Sequence, residues 1–220
     1  MSALKGFIFD LDGVLVDTAR FHYLAWKRLA QEAFDFELTP ELNEQFKGVN
    51  RVACMNLLCQ WTGAELSPQA FQTLTDQKNS WYVEYVERMT PEDVLPGAVE
   101  FVKECRATGL KCAIGSASKN CALVLVRTGL TPLFDTVSDG TVVTRAKPDP
   151  EVFLIAAKML GLPPSECAVF EDAQAGIDAA KAGGMKAVGI CATGALAGCD
   201  AQYTGLKAVK LQALLKKLDR

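Results

Sequence analysis

The chain has 220 residues, a formal net charge of −3 at pH 7 and a hydrophobic content of 50%. This composition is ordinary for a globular protein and allows one large domain, or a core with a smaller second domain. It contains neither a Lys/Arg cluster nor an apolar run near the roughly 18 residues that span a bilayer, so we expect no nucleic-acid and no membrane partner. The eight cysteines include no C-x-x-C pair, which favours apolar core residues of a reduced, cytoplasmic protein.

The predicted elements change in character along the chain. A buried strand over 6–10 is followed by a helical pattern from residue 19 to about 90, and strand and helix alternate beyond Pro96. The helices expected in the first part lie near 40–47, 51–61 and 68–88. The later elements are helix 97–107, strand 110–115, helix 119–128, strand 134–138, helix 150–160, strand 167–171, helix 173–182, strand 186–190 and helix 208–218. The segment 192–205 is expected to be a loop.

The alternation predicts an α/β core, a Rossmann-like parallel sheet with right-handed crossovers. Because the all-helical stretch interrupts this core after its first strand, we expect an inserted all-helical cap domain over 15–92. The core domain then comprises 1–14 and 93–220. The two connections should lie close together, so that the cap can cover the carboxyl ends of the strands, where open α/β sheets bind ligands.

Two carboxylates follow the first strand in the run F-D-L-D-G-V-L-V-D-T, residues 9–18. Asp10 and Asp12 are two residues apart, so an extended chain points both to the same side. Such a pair is costly unless a cation joins it. One carboxylate could ligate a hard metal and attack an electrophile, and the other could move a proton. The alternative is an Asp-Gly turn without function.

Three further motifs follow predicted strands or open predicted helices. Each has an ordinary explanation when taken alone: a helix N-cap, a helix-starting proline and an acidic first turn. Together they would surround one crevice with oxygen ligands suited to Mg²⁺, and with groups that bind a phosphoryl anion. The motifs are Ser116 with the residues up to Asn120, Lys147-Pro148, and Glu171-Asp172.

In order and over the whole chain, these motifs resemble the haloacid dehalogenase superfamily of phosphotransferases. The resemblance implies that Asp10 is a nucleophile that becomes an aspartyl phosphate and that Asp12 is the general acid/base. It also implies that Ser116 and Lys147 hold the transferring phosphoryl group. The implied ligands of Mg²⁺ are Asp10, Glu171, Asp172 and, through its carbonyl oxygen, Asp12.

Segments of the cap and core are also similar to the β-phosphoglucomutase family. These are residues 18–27, 43–51, 77–79, 116–120 and 171–176. The similarity implies interconversion of β-D-glucose 1-phosphate and glucose 6-phosphate through the 1,6-bisphosphate, and therefore a sugar phosphate and a sugar bisphosphate as partners. We expect the protein to act as a monomer.

The same similarity implies a second anion pocket, in which Arg51 of the cap grips the non-reacting phosphate. It places His22 and Lys78 in a cap–core network that positions Asp12. Helix spacing assigns the tryptophans mainly to the cap core. Trp26 is also predicted to be a substrate-binding residue. The implied substrate-binding positions are Thr18, His22, Trp26, Lys47, Gly48, Val49, Arg51, Lys78, Ala117, Ser118, Lys119 and Asn120. A sugar-phosphate phosphatase of the same fold remains an alternative, whereas the intact motifs argue against an inactive binding protein.

Overall fold

The computed structural model describes residues 4–46, 49–192 and 194–219. Its described strands form one six-stranded sheet in the order β3-β2-β1-β4-β5-β6, with every neighbouring pair parallel. The strands are β1 Gly6–Phe9, β2 Lys111–Gly115, β3 Thr136–Ser138, β4 Cys167–Glu171, β5 Lys186–Ile190 and β6 Ala201–Tyr203. This topology confirms the predicted α/β class and places β1 and β4 side by side in the interior of the sheet.

Helices cover both faces of the sheet. Successive side chains of β1 point to opposite faces, so Phe7 and Phe9 join one buried cluster and Ile8 joins the other. Phe9 stacks on Phe170 of β4, with ring centroids 4.7 Å apart. The core helices are α5 Ala98–Ala107, α6 Cys121–Thr128, α7 Glu151–Leu160, α8 Gln174–Ala182 and α9 Leu211–Leu218. Burial on both faces explains why the strands read as nearly continuous apolar runs.

The helical segment between β1 and α5 forms the cap. Its helices are α1 Ala19–Phe34, α2 Pro40–Asn43, α3 Arg51–Thr62 and α4 Pro68–Val86, with a short 3₁₀ turn at Glu44–Phe46. The side chains of Thr39, Asn50 and Ser67 cap the starts of α2, α3 and α4, as the physics of helix N-termini favours. None of the described helices, including α4 with its 19 residues, is long and apolar enough to cross a membrane.

The two chain segments that join the cap to the core run alongside each other. Leu95 N donates to Leu15 O over 2.8 Å, and Asp17 N donates to Asp93 O over 3.2 Å. Arg20 adds an ion pair with Asp93 at 2.5 Å. The cap is therefore tied to the core by a paired double linker. The domain limits at residues 15 and 92 stay a prediction.

The expectation of a loop over 192–205 was wrong at one point. Ala201–Tyr203 forms the edge strand β6, which pairs in parallel with β5. Three residues are too few to show a period-two pattern, and the strand depends on tertiary pairing. Helix ends also differ from expectation, since α9 begins only at Leu211 after a 3₁₀ turn, and α2 ends at Asn43.

The first turn of α8 packs closely on the end of β4, and this contact yields a stability prediction. A Cβ atom at Gly176 would overlap the Glu171 carboxylate. Overpacking typically costs about 1–3 kcal/mol, and alanine's helix propensity returns at most about 1 kcal/mol. We therefore expect Gly176→Ala to lower the free energy of unfolding by about 1–2 kcal/mol, measured by denaturant titration.

The matched control is Gly205→Ala. At Gly205 the backbone is extended, with φ at 168°, and an added Cβ meets no atom within 4 Å. This variant should change the unfolding free energy by less than about 0.5 kcal/mol. Equal stability of the two variants would show that Gly176 is not required for the close approach of α8 to Glu171.

Candidate active site

The carboxyl ends of β1, β2 and β4 bring the predicted catalytic side chains together. Asp10 follows β1, Ser116 follows β2, and Glu171 is the last residue of β4. Lys147 reaches the same point from the segment before α7, and its Nζ lies 2.7 Å from Asp10 Oδ1 and 3.5 Å from Glu171 Oε2. All four side chains are buried. One lysine ammonium therefore joins carboxylates from two neighbouring strands.

The acidic cluster beside Lys147 has the composition of a cation site. Carboxylate oxygens of Asp10, Glu171 and Asp172 all lie within 4.8 Å of one another. Glu171 Oε1 is buried and makes no hydrogen bond, and burial, followed by the Asp10 charge, raises the pKa of Glu171 well above its usual value. Three carboxylates share one lysine, and a hard divalent cation with oxygen ligands would offset the charge of their ionised forms. The side chains present thus fit a metal ion.

Asp12 stands apart from this cluster and is bonded to the start of the cap. Thr18 Oγ1, immediately before α1, donates to Asp12 Oδ1. Burial, followed by the charge of Asp10, raises the pKa of Asp12 to about 6. A carboxyl group with such a pKa can both hold and release a proton near neutral pH. The predicted ligation through the Asp12 carbonyl oxygen stays a prediction.

The buried Lys78 and the half-buried His22 form a pair within the cap. Lys78 Nζ lies 2.9 Å from His22 Nδ1 and 4.9 Å from the centroid of the Trp26 ring. Burial lowers the pKa of Lys78 to about 7, and burial, then the Lys78 charge, lowers the pKa of His22 well below its usual value. An imidazole that is unprotonated at Nδ1 can accept a hydrogen bond there from the lysine ammonium. The His22 ring stacks on Tyr82 with centroids 4.0 Å apart.

Arg51, the first residue of α3, meets the core through a third residue. Its Nη2 donates to Asn79 Oδ1 over 2.6 Å, and Asn120 Nδ2 donates to the same oxygen over 2.8 Å. The Asn120 backbone N–H donates to Ser118 Oγ over 3.2 Å. One donor from the cap and one from the core thus bond to the same oxygen, Asn79 Oδ1. Asn79 was not among the predicted site residues, and its only sequence signal was its place in the run 77–79.

A cleft of about 360 Å³ lies between the cap and the core. Three predicted residues do not line the cleft because their side chains are fully buried. They are Thr18, Ser116 and Glu171. Lys47 and Gly48 lie outside the described residues. The predicted residues that line the cleft are Asp10, Asp12, His22, Trp26, Val49, Arg51, Lys78, Ala117, Ser118, Lys119, Asn120, Lys147 and Asp172. Lining residues that the sequence did not single out include Cys54, Asn79, Gly140 and Thr144.

Comparison with known proteins identifies the family to which the chain belongs. The family model described as haloacid dehalogenase-like hydrolase matches residues 4–184. The β-phosphoglucomutase of Bacillus subtilis is 39% identical over 85% of this chain and 83% of its own length. A fructose-1-phosphate phosphatase of Escherichia coli is 32% identical over 84% of this chain and 95% of its own length.

The fold agrees with these relatives. The crystal structure of β-phosphoglucomutase from Clostridium difficile superposes with a TM-score of 0.92 at 32% identity. That match covers 98% of this chain and 97% of the other. On the family model, these relatives and the shared fold, the chain is an enzyme of the haloacid dehalogenase superfamily.

Proposed function

We propose that this enzyme is a Mg²⁺-dependent sugar-phosphate mutase that interconverts β-D-glucose 1-phosphate and glucose 6-phosphate. The supporting observation is that one cleft contains two separate sets of anion-binding groups. One is Lys147 beside Asp10, and the other is Arg51 with Asn120. A simple phosphatase requires only the first set, whereas a mutase must hold a bisphosphate by both of its phosphates.

The chemistry that we propose takes place at Asp10. Its carboxylate attacks phosphorus, the bond from phosphorus to the sugar oxygen breaks, and the leaving oxygen takes a proton from Asp12. Lys147 binds the phosphoryl oxygens and stabilises the charge that develops on them. We assign Ser116 to the same oxygens, although its buried hydroxyl here accepts a hydrogen bond from the Ser118 backbone N–H. In the second half-reaction a sugar hydroxyl gives its proton to Asp12 and attacks the phosphoryl group on Asp10, and the bond from phosphorus to Asp10 breaks to restore the carboxylate.

A divalent cation held by Asp10, Glu171 and Asp172 would neutralise charge on the transferring phosphoryl group. Mg²⁺ suits this all-oxygen site because it prefers carboxylate, phosphate and water ligands. Lys147 orients the Asp10 carboxylate toward the cleft by its 2.7 Å contact. The small sugar phosphate, the monomeric state and the cytoplasmic location belong to the same proposal.

A sugar-phosphate phosphatase is the second candidate, favoured by the 32% identical fructose-1-phosphate phosphatase. The two functions differ in what accepts the phosphoryl group from Asp10, a sugar hydroxyl or water. Phosphorus NMR of β-glucose 1-phosphate incubated with enzyme, Mg²⁺ and a trace of glucose 1,6-bisphosphate separates them. Accumulation of glucose 6-phosphate supports the mutase, and stoichiometric release of inorganic phosphate would support the phosphatase instead.

Replacing the nucleophile should stop both reactions. Asp10→Asn puts a neutral amide where the carboxylate must attack, so phosphoryl transfer from β-glucose 1-phosphate and from acetyl phosphate should each fall at least about 10³-fold. The matched control is Asp17→Asn, since the Asp17 side chain is 49% exposed and outside the cleft. Wild-type turnover in the Asp10 variant would refute the assignment.

Replacing the proton donor should slow the chemistry without removing the cation site. Asp12→Asn keeps an oxygen for the Thr18 hydrogen bond but cannot carry the proton, so the rate should fall by about 10²–10⁴-fold. Mg²⁺ affinity, measured by calorimetry, should change less than in Asp10→Asn because the Asp12 carboxylate lies outside the acidic cluster. Equal losses of metal affinity in the two variants would contradict this division of roles.

Removing the cap arginine should separate transfer to a sugar from simple phosphorylation of Asp10. Arg51→Ala removes a charge-assisted contact of roughly 1.5–3 kcal/mol with the distal phosphate, so conversion of β-glucose 1-phosphate should fall at least about tenfold. Acetyl phosphate has no distal phosphate, and its reaction with Asp10 should change less than about twofold on the same reasoning.

The matched control is Arg88→Ala, an exposed arginine just beyond α4 that does not line the cleft. It should leave both reactions at their wild-type rates. Equal losses of the two reactions in Arg51→Ala, or no loss in either, would show that Arg51 does not bind a distal phosphate.

A further inference from the structure

Asn79 is the one described side chain that joins Arg51 of the cap to Asn120 of the core. It lies on α4 and lines the cleft. Its single carbonyl oxygen accepts both bonds, from Arg51 Nη2 at 2.6 Å and from Asn120 Nδ2 at 2.8 Å. Asn79 therefore holds together the two donors that we assign to the distal phosphate.

The chemistry of the partners determines which atoms face each other. A guanidinium group has only donors, so the Asn79 atom beside it must be the amide oxygen rather than the nitrogen. Because that oxygen is an acceptor, Asn120 must in turn present its NH₂ group to it. The orientations of both amides thus follow from the presence of Arg51.

The two hydrogen bonds to Asn79 leave most N–H donors of Arg51 and Asn120 available to a ligand. Arg51 has five N–H donors and uses one of them on Asn79, and the Asn120 amide nitrogen retains its second hydrogen. Among the described residues no carboxylate lies within ion-pair distance of Arg51. A neutral acceptor therefore orients the guanidinium without cancelling its charge.

We propose that Asn79 is a positioning residue of the distal phosphate pocket, which aligns Arg51 with Asn120 and must be uncharged to do so. This inference rests on the proposed function, because it assumes that these two donors receive the second phosphate. Asn79 acts through Arg51 and Asn120 and needs no contact of its own with the reacting phosphoryl group.

The role differs from that of a residue which only packs the cap against the core. Asn79→Asp has the same shape and can accept the same two bonds, so a merely structural role would tolerate it. Its carboxylate would, however, form an ion pair with Arg51 that a phosphate would have to displace. Asn79→Ala removes the bridge and leaves the charge of Arg51 unchanged.

The test measures binding of glucose 1,6-bisphosphate by calorimetry with Mg²⁺ present, in an Asp10→Asn background that prevents turnover. We expect Asn79→Asp to weaken binding at least about tenfold and Asn79→Ala about three- to tenfold. The matched control is Asn56→Asp, which adds the same charge to an exposed position of α3 away from the cleft. It should bind within about twofold of its parent.

A second readout uses chains with Asp10 intact. The rate with acetyl phosphate should fall by a smaller factor than bisphosphate affinity in both Asn79 variants, since this donor has no distal phosphate. Bisphosphate affinity of Asn79→Asp equal to that of the parent, or a parallel loss of the acetyl phosphate reaction, would overturn the proposal. Release of inorganic phosphate from β-glucose 1-phosphate by the wild-type enzyme would refute the mutase alone, because the binding comparison does not depend on the product.

Discussion

The site depends on the interaction of the buried Lys147 ammonium group with two carboxylates. The ammonium group lies between Asp10 on β1 and Glu171 on β4, and all three side chains are almost fully buried. Buried charges are tolerated only when paired, and loss of one partner leaves the others uncompensated. Because β1 and β4 are neighbours in the sheet, the fold brings the two carboxylates together, and Lys147 offsets part of their repulsion.

The charge pairing around Lys147 is incomplete, and the carboxylate oxygen that remains without a hydrogen bond makes the site suitable for a cation. With Asp172 the cluster has three carboxylates for one lysine, and an oxygen of Glu171 has no hydrogen-bond partner. The Glu171 carboxylate lies directly against Gly176 of α8, at a place that a Cβ atom on that residue would overlap. We interpret the cluster as a binding site for a divalent cation, which would complete the site together with a phosphorylated substrate.

The cap lines the same cleft and contacts the core through hydrogen bonds. The paired linkers hold its base against the core, and Thr18 extends this attachment to Asp12. Farther out, the contact from Arg51 through Asn79 to Asn120 consists of hydrogen bonds to a neutral oxygen. Such a contact can fix the geometry of an anion pocket while leaving its positive charge available. In the function that we propose, the core supplies the reactive groups and the cap recognises the substrate.

The sequence predicted those parts of the site that follow from spacing along one strand or from alternation of elements. Asp10 and Asp12 could be placed because two residues separate them at a strand end, and the parallel sheet followed from the order of strands and helices. Asn79 could not be found in this way, since its importance arises from two partners that are 28 and 41 residues away in the chain. Strand β6 was missed for a similar reason, because three residues have no periodicity and depend on pairing with β5.

We propose that Asp10, Glu171 and Asp172, which share Lys147, together bind one divalent cation. Calorimetric titration with Mg²⁺ of the wild-type chain and of Glu171→Gln tests it most directly, with Glu166→Gln as a control outside the cluster. The account predicts one ion per wild-type chain, affinity at least about tenfold weaker in Glu171→Gln, and an unchanged control. Equal affinity in all three proteins, or no binding to the wild-type chain at millimolar Mg²⁺, would contradict it.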